Sequence, residues 1–405
     1  MLQVRYSVKI ISVIPIRFSI RGSFWERDLG LVTLAFKKLG VDAWFSALEG
    51  DLPPLDMPFL SSKYDQLTDP EWWRGQKPDA IILNTWSAPR HNDIRRAALA
   101  VGCPLIEKLD TDGVKSPRIY PLHSLRRSWV NYDLRSPIKS GFPQKAEAMA
   151  RFLVTYLFPS LLDRPMIRCM ERVPVYAAET PVASARVRRF LRMYDANPMP
   201  RVVTVPHPVN TAQMGFSPAD SKRNQVIAVG RWDDAVKGWP LLEKTAELFL
   251  KIAPDWSMVV AGPGANVEGN KMEERFPGRF SMIGRVGHEE LNKLLRSSKI
   301  YLLTSHSETF NIAGAEALCC GCSIVGPAQI PSSAYFAAKN SGTVSYLRNA
   351  SHMSDALMAE VDEWNNQRRN PERISSQWIA ELGAEAVAKR YLEIFSMMCR
   401  FPVHR

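Results

Sequence analysis

Ser305-His306-Ser307-Glu308-Thr309-Phe310-Asn311-Ile312-Ala313-Gly314-Ala315-Glu316-Ala317-Leu318 follows the apolar run Ile300 to Thr304 and leads into a helix that Gly321 stops. The run is short and continuously apolar, so it reads as a buried strand of a parallel sheet. Asn311 is a good cap for the helix behind it, whose unpaired N–H groups and positive end then point at the carboxyl edge of that sheet. Open α/β domains place their ligands at this edge, and a helix start accepts phosphate readily. Glu308 lies just before the helix and Glu316 more than one turn inside it. Carboxylates repel a diphosphate but accept hydrogen bonds from sugar hydroxyls, which assigns the pair to the two sugars flanking the phosphates.

The same alternation surrounds this stretch. From Gln225 the order is strand Val226 to Val229, helix Trp239 to Lys251, strand Ser257 to Ala261 and turn Gly262-Pro263-Gly264. Strand Phe280 to Ile283, helix Glu289 to Ser297 and, beyond the quoted stretch, strand Ser323 to Val325 complete it. The first half repeats the rhythm, with strand Val8 to Ile14 ended by Pro15, helix Leu29 to Lys38, strand Val41 to Phe45 and a connector around Pro53, Pro54 and Pro58. Strand Ala80 to Leu83, helix Ile94 to Val101, strands Pro104 to Leu109 and Val175 to Ala177, helix Val182 to Met193 and strand Val202 to Val205 follow. A chain of 405 residues exceeds one ordinary core, and the rhythm predicts two doubly wound α/β domains facing each other across a cleft. The polar stretch Ser217 to Asn224 reads as the linker, so the expected boundaries are 1–215, 216–380 and a C-terminal helix within 381–405 that packs back across the domains. Ser116 to Arg172 is the least legible part, with one helix expected at Gln144 to Leu157.

A formal charge of +11 implies attraction to something anionic. Lys108, Lys115, Arg118, Arg126, Arg127, Arg135, Lys139, Lys145, Arg151, Arg164, Arg168 and Arg172 share their stretch with Phe142, Phe152, Tyr156, Leu157 and Phe158. That mixture suits a peripheral contact with an anionic membrane face, or equally a solvated basic surface; nucleic acid is not expected. No apolar run is long enough to span a bilayer. Six cysteines without disulfide-framework spacing, Cys319, Cys320 and Cys322 together at a helix end, point to reduced thiols and a cytoplasmic protein.

Three segments resemble the retaining glycosyltransferases of family 4, the group 1 type with the GT-B fold of two Rossmann-like domains. They are Val229-Gly230-Arg231 followed by Lys237-Gly238, the block Val260-Ala261-Gly262-Pro263-Gly264, and the stretch quoted first. The likeness covers about Gln225 to Phe395 and is weaker, though consistent in order, before that. It implies that Arg231 and Lys237 neutralise a departing diphosphate, that Glu308 contacts the transferred sugar and that Glu316 holds the ribose. Gly230, Gly262, Asn311, Ile312 and Ala313 then line the nucleotide-sugar site, and fixed cations make a metal or other cofactor unnecessary. Members commonly carry glycine where this chain has Thr309 and Asn311.

In the first half the likeness assigns a glycine-bearing loop after the first strand to the donor, which here offers only Gly22. Many relatives place a histidine after the strand matching Pro104 to Leu109; this chain has Asp110-Thr111-Asp112-Gly113 instead. Asp110 is the replacement candidate, with a carboxylate where positive charge develops on the sugar, while a metal-binding Asp-x-Asp and a plain Asx turn remain alternatives. His91, past another strand end, is a candidate to line the cleft but reads more readily as a solvent-facing loop residue, His207 between Pro206 and Pro208 reads as an interdomain hinge residue, and Glu179 and Thr180 fall on the expected cleft edge without an assigned role.

The expected activity is transfer of a hexose-like unit from a nucleotide diphosphate sugar to a hydroxyl of a glycan, lipid-linked or small-molecule acceptor, with retention, as in polysaccharide biosynthesis. A GT-B epimerase or phosphorylase, and a non-catalytic nucleotide-sugar-binding subunit, are the alternatives.

Overall fold

The computed structural model describes residues 8–19, 28–51, 53–54, 56–120, 146, 150, 153–216 and 221–398. The chain divides into two compact units, one of Met1–Ile119, Phe158–Asn210 and Leu382–Arg405, the other of Tyr120–Leu157 and Thr211–Glu381.

The first unit is built on seven parallel strands: β1 (Lys9–Arg17), β2 (Asp42–Leu48), β3 (Phe59–Ser62), β4 (Ala80–Leu83), β5 (Leu105–Lys108), β6 (Val175–Ala178) and β7 (Arg201–Thr204). Their order is β3-β2-β1-β4-β5-β6-β7, with Ile10 opposite Ala43 of β2 and Ala80 of β4. Ile10, Ile11, Val13 and Ile14 are all fully buried, because helices cover both faces of the central strand; each such side chain contributes about 1.5 to 3 kcal/mol. Pro15 does not end β1 as expected. The strand runs on to Arg17 through a register shift between Ile14 and Arg17, the kind of irregularity that accommodates a residue without an N–H. The Pro-rich connector also holds an edge strand, β3, whose Phe59 ring packs 4.7 Å from Phe18 and 6.1 Å from Phe45.

The helix Ala384–Met398 belongs to this unit. Val387, Ala388, Tyr391, Ile394 and Phe395 enter the core beside the helix Leu29–Lys38, and the Tyr391 and Phe36 rings meet edge to face at 6.5 Å. In the middle of the chain the helix Pro159–Met170 is present; the expected helix from Gln144 lies outside the described residues except at 146, 150 and 153–157, which are helical.

The second unit carries six parallel strands: β8 (Arg223–Val229), β9 (Ser257–Ala261), β10 (Phe280–Gly284), β11 (Ser298–Leu302), β12 (Ser323–Pro327) and β13 (Gly342–Ser345). The order is β10-β9-β8-β11-β12-β13. Each sheet therefore reverses its winding beside its first strand, at β1/β4 and at β8/β11, and such switch points open crevices at the carboxyl edge. β8 begins inside the stretch expected to be linker. Lys222 explains why: its ammonium donates to the carbonyls of Leu295 (2.9 Å), Ser298 (2.7 Å) and Cys320 (2.8 Å), which fixes a polar segment against two helix ends. Cys319, Cys320 and Cys322 are buried here, and burial pushes their thiols above the ordinary range.

Candidate active site

At the carboxyl edge of the second sheet, the loops after β8 and β11 meet. Gly230 N–H donates to Ala261 O (3.1 Å) and Trp232 N–H to Pro263 O (2.7 Å), tying the β8 loop to the β9 loop. The approach is so close that a Cβ on Gly262, at φ 116°, would lie 1.7 Å from Gly230 O, so only glycine fits. A single turn, Ala235–Lys237, follows, capped by Asp234, whose Oδ1 accepts the Val236 N–H. Gly238, at φ 75°, then starts the helix Trp239–Ile252.

This turn seats Lys237 against the β11 loop. Lys237 Nζ is 2.7 Å from Glu308 Oε1, and Ser305 Oγ donates to the same oxygen at 2.6 Å. Thr304 Oγ1 donates to Lys237 O (3.0 Å) and the His306 N–H to Val236 O (2.7 Å). Arg348, three residues past β13, braces the loop from the other side through Nε to Ser305 O (3.0 Å) and Nη2 to Thr304 O (2.7 Å). Arg231 lies at the rim, its side chain 70% exposed and 3.2 Å from Asp234.

Asn311 caps the helix Ile312–Cys319 in the left-handed region, φ 68°. Its Oδ1 accepts from the Gly314 N–H and from the Tyr301 hydroxyl, both at 3.2 Å. Asparagine tolerates this conformation better than other side chains, so it serves where family members carry glycine. The first-turn N–H groups, those of Ile312 and Ala313, have no intrahelical acceptor and face the same edge. Burial, then the carboxylates of Glu308 and Glu316, raise the Tyr301 phenol well above its ordinary range; both acids thus act on one buried hydroxyl.

In the first unit the sheet edge holds a buried charge cluster. Lys108 Nζ lies 3.0 Å from Asp28 Oδ1, 3.4 Å from Glu179 Oε1 and 3.2 Å from His207 Nε2. His207 Nε2 is 3.4 Å from Asp110 Oδ1, and the Thr111 N–H donates to Glu179 Oε2 at 3.0 Å. Burial opposes charge on Asp110, but His207, Lys108 and Trp86 outweigh it and hold the carboxyl well below the usual range. Burial pushes Glu179 up.

His91 is buried, correcting the expectation of a solvent-facing residue, and burial lowers its pKa; His207 is buried as well. Thr180 caps the helix Pro181–Met193, accepting the Ala183 N–H. Asp112 Oδ1 accepts the Val114 N–H at 3.0 Å, the geometry of the Asx-turn reading. Asp110, Glu179 and His207 have ligand atoms within 4.8 Å of one another, yet a metal ion among them would sit against the Lys108 ammonium. Gly22 lies outside the described residues.

Ser305, Arg348 and Asp28 went unassigned in the sequence. Lys108, counted with the basic stretch expected on a membrane-facing or solvated surface, is instead buried; its place inside an otherwise apolar strand was the signal.

Residues 209–377 match the family model "Glycosyl transferases group 1". By sequence no curated protein matches the chain. Among solved structures, a sucrose-phosphate synthase from Thermosynechococcus elongatus superposes with TM-score 0.61 at 14% identity, over 96% of this chain and 99% of that one. HepE of Anabaena in complex with UDP and glucose gives 0.60 at 12%, over 96% and 100%. A UDP-forming alpha,alpha-trehalose-phosphate synthase from Burkholderia xenovorans gives 0.61 at 13%, over 96% and 99%. At these identities the likeness establishes the fold. Residues 209–377 thus form a domain of the glycosyl transferases group 1 family, within a chain that has the GT-B architecture of two parallel α/β sheets.

Proposed function

We propose that the chain transfers a hexose-like sugar from a nucleoside-diphosphate sugar to a hydroxyl of a glycan, lipid-linked or small-molecule acceptor, with retention, as in glycosyltransferase family 4. The observation that carries this reading is the meeting of Lys237, Glu308 and the helix Ile312–Cys319 at the β8/β11 switch point, with Arg231 at its rim. The structures of HepE with UDP and with UDP-glucose support a nucleotide-sugar donor.

As the sugar–phosphate bond breaks, its electron pair stays on the phosphate oxygen, which takes up the proton released as the acceptor hydroxyl bonds to the anomeric carbon. Lys237, Arg231 and the helix N–H groups offset the charge that gathers there, and because they are held in place beforehand the reaction need not reorganise them. Glu316 takes the ribose hydroxyls and Glu308 the transferred sugar; Lys237 exchanges Glu308 for phosphate as the donor enters. Asp110, kept ionised, supplies negative charge toward the positive sugar centre. This arrangement needs no metal.

Thermal unfolding of the full chain with UDP, GDP, ADP and their sugars should raise the midpoint for one base. Joint replacement of Arg231 and Lys237 by alanine should abolish that rise and turnover. A folded double variant with full turnover and nucleotide affinity would falsify the proposal; donor binding with neither transfer nor slow donor hydrolysis would instead leave a binding subunit.

A peripheral membrane contact is favoured by a specific surface. Leu157, Phe158, Leu161 and Leu162 are 66%, 58%, 64% and 47% exposed, with Arg164 and Arg168 exposed beside them. Co-sedimentation with phosphatidylglycerol vesicles, lost on Phe158→Ser with Leu161→Ser, tests it.

A further inference from the structure

We infer that Arg348 is a positioning residue of the donor site, holding Lys237 and Glu308 in register through the backbone of Thr304 and Ser305 without touching the donor itself. The inference rests on the donor-site reading and lies wholly within the second unit.

β11 ends at Leu302, and Thr304 and Ser305 beyond it are 1% and 2% exposed. Their carbonyls lie past the sheet ladder in a buried place, so they need donors from elsewhere. Arg348 supplies both, with Nε to Ser305 O at 3.0 Å and Nη2 to Thr304 O at 2.7 Å. The two N–H groups lie side by side on one edge of a planar guanidinium, so a single side chain locks two successive peptide groups. A lysine, a point charge on a flexible stem, does not offer that fork.

The same two residues reach the candidate site with their hydroxyls. Thr304 Oγ1 donates to Lys237 O at 3.0 Å and Ser305 Oγ to Glu308 Oε1 at 2.6 Å. Arg348 therefore acts on both members of the Lys237–Glu308 pair, along separate routes. The joint is tight, since a Cβ on Gly238, the residue after Lys237, would lie 2.5 Å from Thr304 O and 2.6 Å from Arg348 Nη2. No side chain fits between the guanidinium and the backbone that carries Lys237.

Arg348 is anchored on both sides. Before it, the Ala328 N–H donates to Ser345 O at 2.9 Å, Ser345 Oγ to Leu347 O at 2.8 Å and Gln329 Nε2 to Tyr346 O at 2.5 Å. After it, Asn349 caps the helix Ala350–Asn365 by accepting the His352 N–H at 2.9 Å. The loops after β8, β11, β12 and β13 are thus tied into one frame, with Arg348 as its cross-member. When a diphosphate draws Lys237 from Glu308, the contact between those two is lost and this frame keeps each in place. Groups fixed beforehand need not reorganise as charge develops, and a shift of about 1 Å lowers a rate about 100-fold.

The test compares Arg348→Ala and Arg348→Lys with Arg369→Lys, a control in the same unit whose guanidinium holds Glu360 at 2.6 Å and Asn340 at 2.7 Å. Each is measured by urea unfolding, by isothermal titration with whichever of UDP, GDP or ADP binds the unaltered chain, and by acceptor-free hydrolysis of the matching nucleotide sugar. Arg348→Ala should bind the diphosphate about tenfold more weakly and lose about 100-fold in kcat with a smaller change in KM. Arg348→Lys guards against a folding defect in the alanine variant and should recover only part of both losses. Arg369→Lys should lower the urea midpoint and leave affinity and kcat unchanged. In the Lys237→Ala background, Arg348→Ala should weaken binding less than it does alone, because its effect passes through Lys237. Fully additive losses would mean that Arg348 meets the phosphate directly, and they overturn the positioning role. So do unaltered affinity and kcat in a folded Arg348 variant, or an equal loss in Arg369→Lys. An unaltered chain that binds none of the three nucleotides fails the donor reading itself and this inference with it, a result visible before any variant is made.

Discussion

Replacing Lys237 and Glu308 one at a time is expected to move nucleoside diphosphate binding in opposite directions. The pair stands at 2.7 Å with side chains 26% and 12% exposed, between a surface salt bridge and a buried one. A hydrogen bond to a charged group contributes about 1.5 to 3 kcal/mol, and solvent on the open side lowers that to about 1 to 1.5 kcal/mol. An arriving diphosphate has to draw Lys237 away from Glu308 and then lies near the carboxylate. Glu308→Gln removes the competing charge, so the diphosphate should bind about 5- to 10-fold tighter while turnover falls about 100-fold. Lys237→Ala removes the cation, and affinity should fall about 10-fold or more. In the Lys237→Ala background, Glu308→Gln should gain less than it does alone, because the two residues share one interaction. Isothermal titration with whichever of UDP, GDP or ADP binds the unaltered chain measures all four corners of the cycle. A folded Glu308→Gln protein with unchanged or weaker diphosphate affinity would refute the idea that Glu308 and phosphate compete for Lys237.

Asn311→Ala should destabilise the chain by about 2 to 3 kcal/mol, combining loss of the cap with a left-handed alanine, and Asn311→Gly by less; urea unfolding distinguishes them. Arg95 and Glu107 are fully buried partners 2.8 Å apart, so Glu107→Gln should cost about 3 to 5 kcal/mol in the same assay. Asp110 has a folded pKa below its ordinary 3.8. Its contribution to stability is therefore present above that value and lost as pH falls through the lower folded pKa. The stability gap between the unaltered chain and Asp110→Asn should be flat above about pH 5 and shrink in acid; a gap that widens in acid contradicts the assignment.

The strands and helices that could be read were those whose signal is local. Leu29–Lys38 and Ser257–Ala261 occur with the bounds their apolar patterns suggest, and Gly40, at φ 81°, follows the first where a stop was expected. Three prolines concealed β3, an edge strand. Lys222 hid the start of β8, since nothing in a polar run reveals that an ammonium will find three carbonyls. The helices Pro331–Ala337, Ala350–Asn365 and Pro371–Leu382 went unassigned. At the candidate site, Glu308, Asn311 and Lys237 stood out because each sits at the end of a strand or the start of a helix. Of the first-unit cluster only Asp110, at a strand end, did so, because the cluster's contacts are non-local: His207 is 99 residues from Lys108, and no pattern along the chain joins them.

The placement of the helix Ala384–Met398 has a consequence for biosynthesis. The strands and helix Leu29–Lys38 of the first unit build a hydrophobic interior whose remaining wall, Val387, Ala388, Tyr391 and Phe395, is translated only after the whole second sheet. Until then the outer side of Leu29–Lys38 stays wet, and the N-terminal half must wait, incomplete, through synthesis of the entire other half. Anyone wishing to cut the molecule in two would do better to graft that closing helix onto residue 210 than to express 1–210 by itself.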